Sequence, residues 1–104
     1  MKMEKKNFDG YELIPVAKVD LSCGYDWDEM EIYYIASEKR FFWLSGQGCS
    51  CDYLWSDFPV LGSLQNGFRE DAINAIRSFI SEKSEYSQID GIEAIAKVKS
   101  FQIP

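Results

Sequence analysis

Between Tyr11 and Ser45 the chain is apolar in short bursts, and after Ser63 the apolar residues change period. Tyr11 to Leu21 has apolar Leu13, Val16, Val19 and Leu21, which follow no single spacing. Its β-branched content predicts a strand, with Pro15 at its start or on a sheet edge. Ser22 to Glu29 contains Gly24, Asp26 and Asp28 and reads as a turn. Met30 to Ser37 predicts a second strand and Phe41 to Ser45 a third, joined by the charged Glu38-Lys39-Arg40. Alternation puts Ile32, Tyr34 and Ala36 on one face and Tyr33 and Ile35 on the other. Both faces are thus apolar. One is expected to carry helices, and the other to be covered by the segment that follows. That segment, Gly46 to Gly62, holds Tyr53, Leu54, Trp55, Phe58, Val60 and Leu61, too many large apolar groups for a solvated loop.

From Ser63 the apolar residues Leu64, Phe68, Ala72, Ala75, Ile76, Phe79 and Ile80 recur at three and four. The spacing predicts an amphipathic helix from about Ser63 to Lys83, capped by Ser63 or Asn66. Glu70 and Asp71 near its start and Lys83 at its end suit the helix dipole. Ser87-Gln88-Ile89-Asp90 resembles a capping box, and Ile89, Ile92, Ile95 and Ala96 follow at helical spacing, so a second helix is expected there. The fold class is α+β: a three-stranded antiparallel meander packed against one long helix and a second, C-terminal helix. Its core is expected to use Ile32, Tyr34, Phe42, Leu44, Phe68, Ala72, Ile76, Phe79 and Ile80. Residues 1–104 read as one domain, with 1–10 a polar, flexible lead-in ending at the turn pair Asp9-Gly10.

Composition narrows the class. With 46% hydrophobic residues the chain can build a core, so intrinsic disorder is not expected. No apolar run approaches the roughly 20 residues that span a bilayer, and the charged N-terminus lacks a signal-peptide core. A cytoplasmic protein without membrane contact is expected. Asp and Glu number 17 against 11 Lys and Arg, a net charge of −6. That balance opposes direct nucleic-acid binding and suits a basic surface on another protein. There is no histidine, which excludes His-based triads and imidazole zinc sites.

Three motifs carry candidate chemistry. Cys49-Ser50-Cys51, with Cys23, offers three thiols for a metal or a redox pair. Asp52 follows directly and works against a depressed thiol pKa. A tight structural turn with small buried thiols is the simpler reading. The second motif is Asp26-Trp27-Asp28-Glu29-Met30-Glu31, an acidic run with a tryptophan, the residue type that often anchors interfaces. It reads as a binding surface or as a solvated turn. Third, Trp43, Trp55, Tyr33, Tyr34 and Tyr53 are an aromatic platform or simply core. No nucleophile, oxyanion loop or phosphate-binding glycine pattern accompanies them, so an enzyme is not expected, nor a cofactor.

The run Phe41-Phe42-Trp43-Leu44-Ser45-Gly46-Gln47-Gly48-Cys49-Ser50-Cys51, then Trp55 to Phe58 and Ser63-Leu64, resembles a family of small uncharacterised bacteriophage proteins. In these an aromatic strand enters a Gly-Cys-Ser-Cys turn. The resemblance implies a phage origin and action in the host cytoplasm. Small acidic phage proteins commonly bind host proteins, among them defence components such as CRISPR systems. The expected function is therefore binding, with inhibition, of a host protein that has a basic nucleic-acid-binding groove. Asp26, Trp27, Asp28, Glu29, Glu31, Tyr53, Trp55 and Asp57 are the expected contact residues. The alternative is a metal-binding or redox-linked protein using Cys23, Cys49 and Cys51.

Overall fold

The computed structural model describes residues 4–81, 83 and 87–104, so Met1 to Met3 of the expected lead-in lie outside the described residues. Five strands form one antiparallel sheet in chain order: β1 (Lys6–Phe8), β2 (Tyr11–Asp20), β3 (Asp26–Ile35), β4 (Arg40–Cys49) and β5 (Gln65–Gly67). Two helices follow, α1 (Arg69–Ser81) and α2 (Ser87–Ser100). The α+β class and both helices match expectation, but the sheet has five strands, not three. No helix among the described residues is long and apolar enough to cross a membrane.

The irregular apolar spacing of β2 has a mechanical cause. Pairing with β3 runs Ile14 to Tyr34 and Pro15 to Tyr33, then resumes at Ala17 to Ile32, leaving Val16 as a bulge. One inserted residue reverses which side chains face which side. Leu13, before the bulge, packs beneath the sheet with Tyr33, while Ala17 and Val19, after it, face the helices. Pro15 lies beyond the stretch that β1 covers, where β2 is an edge and a missing N–H is tolerated.

Lys6–Phe8, expected as part of the flexible lead-in, instead pairs with β2 through a two-residue turn. Asp9 and Gly10 both take positive φ there (51° and 82°), which matches the twist of a tight hairpin. β3 and β4 pair along their full ten residues, from Asp26 opposite Cys49 to Ile35 opposite Arg40. The stretch Asp26–Glu29, expected as turn, is therefore strand.

The sheet carries a core on each face, as the alternation requires. On one side Ile32, Tyr34, Phe41 and Trp43 meet Ala72, Ile76 and Val98 of the helices. On the other, Tyr33, Ile35, Phe42 and Leu44 are covered by Leu54, Leu61 and Leu64 of the segment after β4. Ala36 lies past the strand end and is exposed.

The first helix starts six residues later than expected, because Gln65–Gly67 is captured as a strand by the edge of β4. Trp43 Nε1 donates to Gln65 Oε1 (2.9 Å) and Arg40 donates to Asn66 Oδ1 (2.9 Å), fixing that short strand by its side chains. Phe68 becomes the N-cap: its N–H donates to Asp71 Oδ2 (2.8 Å), and its ring is 64% exposed rather than in the core. Arg69 then ties the helices together. Its guanidinium donates to the carbonyls of Val98 (2.6 Å), Lys99 (3.2 Å) and Phe101 (2.8 Å), satisfying C-terminal acceptors of α2.

Candidate functional site

Strand geometry divides the acidic run. Asp26 and Asp28 point to the helix side with Met30, whereas Trp27, Glu29 and Glu31 point to the opposite side with Tyr33. The run therefore does not form the single acidic surface expected from the sequence.

Glu31 is turned into the fold. Only 9% exposed, its Oε1 accepts from the Tyr33 hydroxyl (2.6 Å) and from Trp55 Nε1 (3.0 Å). Lys18, opposite it in the β2–β3 register, lies 3.7 Å from Glu31 Oε2 and 3.4 Å from Glu29 Oε2. Burial works against the Lys18 charge, but Glu29 and then Glu31 outweigh it and raise its pKa. Tyr33 is held far above the ordinary phenol range by burial, then by its hydrogen bond to the Glu31 carboxylate and that group's charge. Trp55 is fixed between Phe8 (4.9 Å between ring centres), Tyr33 (5.8 Å) and Lys6, whose ammonium sits 4.1 Å over the ring. Glu31 and Trp55 are thus bonded to each other within the second core, and Glu29 pairs with Lys18.

The open end of the β3–β4 hairpin is different. Trp27 lies flat on β4, its Nε1 donating to the Cys49 carbonyl (2.9 Å). Gly48 makes this seat: a Cβ there would come within 2.7 Å of the indole. Beside it an open groove of about 440 Å3 is lined by Leu21, Cys23, Asp26, Trp27, Asp28 and Gly48. Asp28 Oδ2 accepts from Lys83 Nζ (2.9 Å). Its other oxygen, Oδ1, is buried and has no hydrogen-bond partner among the described residues. The same end presents Tyr25 (85% exposed), Asp26, Asp52 and Tyr53 (66% exposed). Asp52 accepts from the Ser56 hydroxyl and the Tyr53 N–H, and both bonds hold its carboxyl below the usual range. Asp57 is exposed at the end of the short 3-10 turn Leu54–Asp57.

The cysteines do not converge. Cys49 and Cys51 form a disulfide pair, with Cα atoms 5.5 Å apart. The turn is closed by Asp52 N–H donating to the Cys49 carbonyl (3.1 Å). Both are exposed, contrary to the expected buried thiols. Cys23 is a free, exposed thiol in the turn before β3, bridged to Asp26 by two backbone hydrogen bonds. Among the described residues no three His, Cys, Asp or Glu side chains are grouped as metal ligands, so the three-thiol set is not assembled.

Asp26, Trp27, Asp28 and Tyr53 from the expected contact set therefore share one end of the sheet, and Tyr25 and Asp52 join them. Tyr25 was not singled out from the sequence, although its place in a Gly-Tyr-Asp turn marks it as a ring with no strand to bury it. The ion pairs of Lys18 and Lys83 and the Tyr33–Glu31 hydrogen bond depend on strand register and on where α1 ends, which residue spacing does not give.

A family model described as Domain of unknown function (DUF7574) matches residues 2–101. No curated protein and no solved structure gives a significant match.

Proposed function

We propose, for a chain that belongs to the DUF7574 family, a non-catalytic domain that binds a Lys- or Arg-bearing segment of another protein at the open end of the β3–β4 hairpin. The observation that carries this reading is the groove itself. It brings Asp26 and Asp28 together at the end of the helix-side face, and Asp28 has a buried oxygen with no donor among the described residues. A guanidinium or ammonium group entering the groove would pair with the Asp26 and Asp28 carboxylates. Tyr25 and Tyr53 are exposed rings at the same end of the sheet, and the net charge of −6 favours encounter with a basic partner. The narrower reading, inhibition of a host defence protein by a phage product in the host cytoplasm, draws its support from the resemblance of the Gly-Cys-Ser-Cys region to phage proteins.

The test separates this site from bulk charge. Titrating an arginine-rich peptide while following tryptophan fluorescence is expected to give saturable binding. Reversing Asp26 and Asp52 to lysine should weaken it at least about tenfold, roughly 1.4 kcal/mol. Reversing Glu38 and Glu70, exposed and away from the groove, changes the net charge equally and should weaken it no more than about twofold, a screening-scale effect. Equal losses in both variants would show attraction by net charge alone and remove the site.

A second reading rests on the Cys49–Cys51 pair, which is exposed and open to thiol exchange. Here the domain is redox-linked, the pair accepting two electrons and two protons from a cellular dithiol, which is oxidised to its disulfide. Protein purified without reductant should then have an intact mass lower by two hydrogens and take up one alkyl group, at Cys23. Reduction first should raise the uptake to three. Uptake of three without reduction removes this reading.

A further inference from the structure

The outer face of α2 is apolar where a surface helix should be polar. Ile89 (63% exposed) and Ile92 (65% exposed) share this face with exposed Ala96, at the i, i+3, i+7 spacing of one helical stripe. The inner face is already used, with Ala94 and Val98 buried in the core. The helix is also charged in a particular order. Asp90 and Glu93 lie in its first half, and Lys97 and Lys99 in its last turns. Among the described residues neither Glu93 nor Lys97 makes an ion pair inside the chain.

We infer that this stripe is a self-association face, and that its occupant is α2 of a second copy of the chain, packed antiparallel about a two-fold axis. An isologous contact brings the same flank of both helices together with the direction reversed. An axis level with Ile95 then sets Glu93 beside the second copy's Lys97, and Lys97 beside its Glu93. The complementarity is built into one helix because its acidic and basic halves are separated along the axis. Ala96 falls next to its own copy at the crossing, where a small side chain permits the close end of the 8–10 Å interaxial range. Ile92 and Ile89 then interleave on either side.

The contact is one 14-residue helix on another, about 21 Å long. A single helix–helix contact of that length buries less than the roughly 1,200 Å2 of a standard interface, so the dimer is expected to be weak, with a dissociation constant on the order of 100 μM. Sedimentation equilibrium from about 10 μM to 1 mM brackets that value and is the decisive measurement. The wild-type chain should pass from monomer to dimer, and Ile92→Glu should remain monomeric with an unchanged melting temperature, since Ile92 is exposed. Glu93→Lys alone should weaken the dimer about fivefold, because two attractive pairs become repulsive. Adding Lys97→Glu should restore it. A monomer through the whole range, a dimer untouched by Ile92→Glu, or a double variant no tighter than Glu93→Lys would each overturn the proposal. The double variant also covers the case in which Ile92→Glu folds poorly.

Discussion

Phe41→Ala is expected to lower the unfolding free energy by about 4 kcal/mol, the largest loss from any single truncation considered in this fold. Phe41 is 1% exposed, at the centre of the helix-side core. Its ring meets Tyr34 edge-on (5.0 Å between centres) and Phe101 (5.8 Å), and the Arg69 guanidinium lies 5.6 Å from it. Removing the ring loses its burial and leaves a cavity whose walls belong to three elements, so collapse is difficult. It also frees Arg69, whose guanidinium caps the end of α2. A domain of this size has a total stability of about 5–15 kcal/mol, so the variant should retain only part of its cooperative transition. Urea denaturation followed by far-ultraviolet circular dichroism gives the number. The melting temperature should fall by about 15–30 °C. Hydrogen exchange should show α2 losing protection first. A loss under about 1.5 kcal/mol would mean the site collapses around alanine and that Phe101 packs independently.

The two-faced sheet was legible because β3 has an unbroken period of two. Tyr33 and Ile35 fell on one side and Ile32 and Tyr34 on the other, and both sides were too apolar to face water. The covering role of Leu54 and Leu61 followed from the same count of apolar groups. The short strands were not legible. Gln65-Asn66-Gly67 has no strand propensity, and it becomes β5 because β4 offers an unpaired edge and two side-chain partners. Helical periodicity ran through it because Leu64 and Phe68 are four apart, yet Leu64 is buried under the sheet and Phe68 faces solvent. The bulge at Val16 hid the period of β2 in the same manner, as an event of pairing that composition does not record.

The site was half legible for a related reason. Spacing in the chain cannot tell a carboxylate that faces water from one turned inward until the strand assignment is known. With Ser22–Glu29 expected as a turn, Asp26–Glu31 reads as one acidic surface. As a strand it becomes two sets on opposite faces of the sheet. Asp26 and Asp28 edge a groove, and Glu29 and Glu31 are bound to Lys18, Tyr33 and Trp55. Reversing every charge in this run would damage the second core together with any binding surface. A test of binding therefore has to spare Glu29 and Glu31.

That division makes Glu31 the second position of large effect. Glu31→Ala is expected to cost about 3 kcal/mol, because it strands the Tyr33 hydroxyl and the Trp55 indole N–H without an acceptor and leaves Lys18 with Glu29 alone. Glu31→Gln keeps an amide oxygen for both donors and should cost about 1 kcal/mol, so the pair separates hydrogen bonding from charge. The same contact makes a prediction for pH. The folded pKa of Tyr33 is raised, so the unfolded chain releases this proton first, near pH 10, while the folded chain keeps it. The unfolded state then binds fewer protons, and stability falls as pH rises, by up to about 1.4 kcal/mol per pH unit. The raised pKa of Lys18 acts in the same direction. Tyr33→Phe should lower stability by about 1 kcal/mol at pH 7 yet flatten the alkaline limb. Urea midpoints at pH 7, 9, 10 and 11 test both statements. An alkaline slope unchanged by Tyr33→Phe would mean that the phenol ionises freely in the folded chain. The Tyr33–Glu31 hydrogen bond would then add little to the second core.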